Sequence, residues 1–158
     1  MIKYLDKAIV LQEIPDEICL ALDITNCPHK CKNCHSPYLR ADIGTPLDYS
    51  TLISLSKTRG ISCILFMGGD SHHKSIEQLA DIIHKETKLK VAMYSGDDEI
   101  DKNLLHCLDY YKVGSYKEDL GALNKRTTNQ RLYKILDKDD CLFEDITYMF
   151  WRKPNIKD

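Results

Sequence analysis

Short apolar segments rich in β-branched residues alternate with helix-patterned segments along most of this 158-residue chain. Such alternation favours a parallel sheet with helical crossovers, in which the loops that follow the strands gather at one edge. A closed eight-fold barrel takes about 250 residues, so the chain is too short for one. The sequence therefore predicts an α/β fold, a single-domain partial (open) β/α barrel with a mostly parallel sheet over residues 1–158.

The expected elements follow from local patterns in the sequence. Helix starts and stops are indicated at several positions, including a capping-box pattern of Ser75 with Gln78. The longest irregular stretch is Gly114 to Asn129, and long loops in compact domains are frequently functional. The apolar segments, most of them expected strands, are 8–14, 18–24, 61–67, 91–94, 110–113, 132–136 and 146–151, and the expected helices are 50–57, 75–88 and 101–108.

Charge and hydropathy exclude several classes of partner. The chain has 22 basic and 24 acidic side chains, a net charge of −2 and no long run of Lys and Arg. It therefore lacks the clustered positive charge typical of proteins that bind nucleic acids or anionic membranes. Its uncharged apolar runs, such as Cys63 to Met67, are far shorter than the ~20 residues that span a bilayer. The N-terminus has no secretory signal pattern. We expect a cytoplasmic protein with no membrane and no nucleic acid among its partners.

The strongest chemical signal is a group of three cysteines, Cys27, Cys31 and Cys34, directly after an expected strand. Thiolates select zinc, copper(I) or iron–sulfur clusters. A structural zinc site needs four ligands, which His29, His35 or a distant cysteine would have to complete. A 4Fe-4S cluster with three cysteine ligands instead leaves one iron open to a small molecule. At this point both sites stay open.

The remaining four of the seven cysteines lie beside apolar residues without mutual spacing, and we interpret them as core residues. An odd number of cysteines also excludes a complete set of intrachain disulfides. We interpret the adjacent His72 and His73 as solvated loop residues. The four cysteines are Cys19, Cys63, Cys107 and Cys141.

The C-x3-C-x2-C spacing resembles the radical S-adenosylmethionine superfamily, and Phe66 to Asp70 resembles the glycine-rich methionine-binding segment of that superfamily. Three later segments resemble one branch of it, the anaerobic ribonucleoside-triphosphate reductase activating proteins. The resemblance extends from about Ile9 to Leu136. The three later segments are Lys112 to Tyr116, Gly121 to Leu123 and Thr127 to Arg131.

The resemblance implies two cofactors and their binding residues. Cys27, Cys31 and Cys34 would hold a 4Fe-4S cluster, and S-adenosylmethionine would bind the open iron. Gly68 and Gly69 would offer backbone groups to the methionine moiety, and Asp70 would face its ammonium. No protein acid, base or nucleophile is required, because the cofactors carry the chemistry. The implied cofactor-binding residues are Asn33, Cys34, His35, Gly68, Gly69, Asp70 and Ser95.

The resemblance also implies a function and its partners. The chain would be an activating enzyme, an oxidoreductase that generates a 5′-deoxyadenosyl radical and so a glycyl radical on the large subunit of anaerobic ribonucleoside-triphosphate reductase. A low-potential electron donor, flavodoxin-like or ferredoxin-like, would reduce the cluster. Alternatives are activation of another glycyl radical enzyme, formate-lyase-like in kind, a zinc-stabilised binding module, and an electron carrier. The oligomeric state stays open, with a homodimer as one option.

Overall fold

The computed structural model describes residues 1–152. Its three helices are α1 (Tyr49–Ser56), α2 (His73–Glu86) and α3 (Lys102–Leu105), and two short 3-10 segments cover Pro37–Arg40 and Thr147–Trp151. The strands are β1 (Lys3–Val10), β2 (Cys19–Ile24), β3 (Thr45–Pro46), β4 (Cys63–Met67), β5 (Lys90–Tyr94), β6 (Tyr110–Val113), β7 (Arg131–Asp137) and β8 (Leu142–Asp145).

All eight strands join one open sheet in the order β3-β1-β2-β4-β5-β6-β7-β8. The predicted α/β class and open sheet are confirmed. The parallel pairs join β2, β4, β5 and β6 at the centre, and the flanking strands on both sides pair antiparallel. Helices α1, α2 and α3 lie in the connections between the parallel strands, whereas the connections of the antiparallel neighbours β1–β2, β6–β7 and β7–β8 contain no helix.

The sheet buries apolar side chains on both faces. On β4, Ile64 and Phe66 belong to the cluster that packs under α1 and α2, while Cys63 and Leu65 belong to the cluster on the opposite face. This separation follows from the alternation of side chains along a strand. Cys19 pairs with Cys63 in register on the neighbouring strands, and both side chains are fully buried, as the sequence predicted.

Several element boundaries differ from the expectation. β1 ends at Val10, because its antiparallel register with β2 pairs Val10 with Cys19 and Tyr4 with Ile24. α2 begins two residues before Ser75, so the capping-box assignment was wrong, and its N-cap His72 makes no side-chain cap hydrogen bond. The expected 101–108 helix is only the four residues of α3. Residues 147–151 form a 3-10 segment instead of extended chain, and β8 was not foreseen.

The carboxyl ends of β2, β4, β5 and β6 meet at one edge of the sheet because these strands are parallel. The segments that follow them are 25–36, 68–72, 95–101 and 114–130. The last of these contains no helix or strand, as predicted for 114–129. We call this the loop edge. In the described residues 1–152, no helix has the length and apolar character needed to cross a membrane.

Candidate functional site

The segment 25–36, which we call the cysteine loop, carries the three clustered thiols at the loop edge. Its course is set by backbone hydrogen bonds from Cys27 N–H to the Leu39 carbonyl (3.0 Å) and from Cys34 N–H to the Cys31 carbonyl (3.2 Å). Asn33 adopts a left-handed conformation with φ 57°, which tightens the turn between the second and third cysteines. Three thiols are thereby gathered on one short hydrogen-bonded loop.

The thiols are free and half-buried. Burial raises the pKa of the Cys27 thiol, and the nearby charges of Asp70, Cys34 and Cys31 raise it further. A hydrogen bond from the backbone N–H of His29 opposes this rise. Thiolates that repel one another in this way are stabilised when a bound metal supplies positive charge.

The donor set fits an iron–sulfur cluster better than a single ion. Among the described residues, the one group of three side chains whose donor atoms all lie within 4.8 Å of one another is His29, Asp70 and Asp97, which contains no cysteine. A tetrahedral zinc site with Zn–S bonds of about 2.3 Å would hold its sulfurs within about 4 Å of one another. The three cysteine sulfurs do not all lie within 4.8 Å of one another, so they are not arranged around one ion.

The glycine-rich segment follows β4 and lies directly beside the cysteine loop. Gly68 and Gly69 have φ values of 106° and 113°, which side chains rarely tolerate. A Cβ on Gly68 would lie 3.3 Å from the Ile24 carbonyl oxygen, so this backbone also packs closely against the end of β2. The Ser71 hydroxyl donates to the Asn26 carbonyl at 2.7 Å. The two segments that the resemblance assigns to the two cofactors are therefore in contact.

Asp70 is the centre of a buried hydrogen-bond network at the loop edge, with a side chain only 3% exposed. Burial disfavours its charge, but the hydrogen bonds outweigh burial and hold the pKa of this carboxyl below its usual value. A carboxylate has about four lone-pair positions, and all four are used here. Oδ1 accepts from His73 Nε2 (3.0 Å) and Ser95 Oγ (2.6 Å), and Oδ2 accepts from His29 Nε2 (2.7 Å) and Gly96 N–H (2.8 Å).

His73 is not the solvated loop residue that the sequence suggested. It opens α2, and its ring nitrogens lie 2.8 Å from Asp101 Oδ2 and 3.0 Å from Asp70 Oδ1. Burial lowers its pKa, but the two carboxylates outweigh burial and raise the pKa of this imidazole. His73 therefore joins the glycine-rich segment to the start of α3.

The remaining predicted site residues lie in two places. Ser95 is fully buried, with its hydroxyl on Asp70. Asn33 Nδ2 donates to Glu118 at 2.5 Å, and the His35 ring lies 5.5 Å from the ring of Tyr116. Asn33 and His35 thus connect the cysteine loop to the long 114–130 segment.

Lys112 at the end of β6 lies beside the loop edge, and the sequence gave it no individual role. Its ammonium is buried and donates to the carbonyls of Ser95 and Gly114, each at 2.8 Å. Burial lowers the pKa of Lys112 to about 8, while the charges of Asp70 and Cys31 act in the opposite direction. A cavity of about 430 Å³ adjoins this side chain and is lined also by Tyr94, Leu123, Gln130 and Phe150.

Comparison with known families gives one match. The family model described as a 4Fe-4S single cluster domain matches residues 18–136, which include the cysteine loop, the glycine-rich segment and strands β2 and β4 to β6. Comparisons with curated proteins and with solved structures give no match.

Proposed function

The chain belongs to the 4Fe-4S single cluster domain family and is an iron–sulfur protein, and from this premise we propose that it is a cytoplasmic radical S-adenosylmethionine activating enzyme. Cys27, Cys31 and Cys34 would hold the cluster. When bound, a 4Fe-4S cluster with three cysteine ligands supplies single electrons at an iron that is open to a small molecule.

The observation that carries the proposal is the contact between the cysteine loop and the glycine-rich segment. The hydrogen bond from Ser71, the residue directly after the glycine-rich segment, to the Asn26 carbonyl holds these two segments side by side at the loop edge. Gly68 is half-buried and has no side chain, so a methionine moiety can approach its backbone, whereas Gly69 is buried against Ile76 and Met93. The ammonium of that moiety would take the place of one of the four donors now on Asp70.

The proposed reaction is the reductive cleavage of S-adenosylmethionine to methionine and a 5′-deoxyadenosyl radical. This radical would take a hydrogen atom from a glycine of the large subunit of anaerobic ribonucleoside-triphosphate reductase. The choice of this partner rests on the resemblance of segments 112–116, 121–123 and 127–131 to that branch of activating proteins. The protein would line the approach and exclude water, and a flavodoxin-like or ferredoxin-like donor would supply the electron.

The first experiment measures S-adenosylmethionine cleavage. The protein is purified without oxygen, reconstituted with iron and sulfide, reduced with dithionite and incubated with S-adenosylmethionine, and 5′-deoxyadenosine is quantified by chromatography. We expect its formation by the wild type and by Cys141→Ala, a half-buried cysteine outside the cysteine loop, and its loss in Cys31→Ala. Cleavage retained by Cys31→Ala would refute the cluster assignment.

The second experiment identifies the partner. The reduced protein with S-adenosylmethionine is mixed with the large reductase subunit or with a formate-lyase-like enzyme, and the glycyl radical doublet is recorded by electron paramagnetic resonance. A doublet on the reductase alone supports the proposal, and a doublet on the other enzyme alone replaces it. A colourless protein that retains zinc through reconstitution would instead identify a binding module, and a reducible cluster that never cleaves the cofactor with either partner would identify an electron carrier.

A further inference from the structure

We propose that His29 is a positioning residue, which fastens the cysteine loop to the sheet through Asp70 and so holds Cys27 and Cys31 in place for the cluster. The proposal rests on the cluster assignment and not on cleavage of S-adenosylmethionine. We call the His29–Asp70 hydrogen bond the loop latch.

The position of His29 in the chain makes it suited to this role. It is the middle residue of the three between the first two cysteines, so any displacement of His29 moves both neighbouring ligands. Its flanking residues Pro28 and Lys30 are exposed. The side chain of His29 is only 24% exposed and is the one among these three that turns inward to the sheet.

The contact of His29 with the sheet is short and charge-assisted. Nε2 lies 2.7 Å from Asp70 Oδ2 and 3.2 Å from Asp97 Oδ1. Hydrogen bonds to an ionised, nearly buried carboxylate are stronger than neutral ones. Asp70 is itself held by three other donors, so it is a rigid point of attachment for a loop that has no helix or strand of its own.

Gly96 provides the space that the imidazole occupies. A Cβ built at Gly96 would lie 2.7 Å from His29 Cδ2, closer than real side-chain contacts allow, and 3.1 Å from Nε2. Gly96 N–H also donates to the same Asp70 oxygen that binds His29. The residue after Ser95 is therefore small because the ring of His29 lies against its backbone.

Arg40 holds the same stretch of loop through its backbone. Its Nε donates to the His29 carbonyl at 3.0 Å, and its Nη2 donates to the Cys31 carbonyl at 3.2 Å. The side chain of His29 and the backbone from His29 to Cys31 are thus fixed by different partners. Without the latch, the loop between Cys27 and Cys31 would keep only the backbone contacts.

The test measures the lifetime of the cluster in the absence of S-adenosylmethionine, so its result does not depend on the proposed reaction. Wild type, His29→Ala, His29→Gln, Gly96→Ala and the control Lys30→Ala are reconstituted without oxygen. Iron and sulfide per chain, the rate of loss of visible absorbance to a chelator, the electron paramagnetic resonance spectrum of the reduced cluster and the melting temperature of the iron-free protein are measured.

We expect His29→Ala to lose its cluster about tenfold to a hundredfold faster than wild type, the range that corresponds to one hydrogen bond to a charged group. Gly96→Ala should behave in the same way, because its methyl group displaces the ring. His29→Gln should restore most of the lifetime, since its amide nitrogen can donate to Asp70. Lys30→Ala should equal wild type both in the lifetime of the cluster and in the melting temperature of the iron-free protein.

Three results would overturn the proposal. A His29→Ala variant that retains its cluster as long as wild type would show that the latch is not needed. A His29→Gln variant that folds but loses its cluster as fast as His29→Ala would show that the hydrogen bond to Asp70 is not the cause. Stoichiometric zinc or manganese binding by cysteine-alkylated wild type, lost in His29→Ala, would make His29, Asp70 and Asp97 a separate metal site.

The outcome is distinguishable from that of the proposed function. A wild type that assembles a cluster but forms no 5′-deoxyadenosine, even with either partner, refutes the activating-enzyme proposal and leaves the comparison of His29 variants valid. A wild type that assembles no cluster under any reconstitution condition overturns the latch together with the cluster assignment.

Discussion

Replacement of Asp109 by Asn should destabilise the fold strongly at neutral pH and weakly in acid. Asp109 precedes β6, and its carboxylate accepts three hydrogen bonds from three other parts of the chain. The donors are His84 Nε2 on α2 (2.8 Å), the backbone N–H of Val91 on β5 (2.8 Å) and Lys138 Nζ after β7 (2.6 Å). Burial alone would raise the pKa of this carboxyl, but these hydrogen bonds lower it to about 2.

The pKa sets the size of the effect. Each tenfold change in proton affinity corresponds to about 1.4 kcal/mol, so lowering the Asp109 pKa from 3.8 to about 2 contributes about 2.5 kcal/mol to the free energy of unfolding. Because the folded pKa lies below the unfolded one, the contribution is complete above the unfolded pKa. It is lost as the pH falls from about 5 to about 2.

The assay is urea unfolding of the iron-free protein, followed by circular dichroism, at a series of pH values from neutral to about 3. The difference between wild type and Asp109→Asn should be about 2.5 kcal/mol at neutral pH and should shrink as the pH falls. The control is Asp81→Asn, which removes an exposed ion pair with Lys85 and should cost less than about 1 kcal/mol. A difference for Asp109→Asn that is as small as the control, or that does not change with pH, would refute the reasoning.

Three further predictions concern the backbone of the fold and the loop edge. Gly44→Ala should lower the free energy of unfolding by about 3 kcal/mol, because φ is 104° and the new Cβ would collide with the Tyr4 carbonyl oxygen. Gly60→Ala, with φ 84° and open space around it, should cost about 1 kcal/mol, and equal losses in urea unfolding would contradict this reasoning. Arg40→Ala should shorten the lifetime of the reconstituted cluster against a chelator, since two carbonyls of the cysteine loop lose their donors, and an unchanged lifetime would show that the backbone contacts are dispensable. Because burial lowers the pKa of Lys112 to about 8, the stability of wild type relative to Lys112→Met should rise between about pH 8 and pH 10.5 in the same unfolding assay, and a flat or falling difference would contradict the assignment.

The parts of the fold that could be predicted are those that local pattern determines. The apolar run at 63–67 corresponds to β4, and the helical spacing after it corresponds to α2. A strand buried on both faces requires a continuous apolar run, and a helix buried on one face requires apolar residues at helical spacing, so both patterns are visible over a few residues. The limits of β1 could not be predicted in the same way. They depend on pairing with β2, which places Val10 opposite Cys19, and pairing register is a property of two strands together.

The candidate site also has a part that could be predicted from local sequence and a part that could not. The spacing of Cys27, Cys31 and Cys34 is visible in eight consecutive residues, so it could be predicted. The latch between His29 and Asp70 joins residues 41 positions apart and leaves no local pattern. Lys112 was given no individual role because a lysine in a strand ordinarily faces water. Here the carbonyls of two loop segments satisfy its ammonium inside the protein.

The long sequence separation across the latch also orders the events of folding. The three thiols are close in the sequence, but we expect Asp70 to reach His29 only when β2 and β4 pair, which joins residues 44 positions apart such as Cys19 and Cys63. Pairing of strands that are distant in the sequence loses loop-closure entropy before its contacts form, so it is slow compared with the formation of local turns. A nascent or partly folded chain therefore presents the cysteines without their attachment to the sheet. If the latch holds the cluster as we propose, retention of iron and sulfide would report that the centre of the sheet has formed.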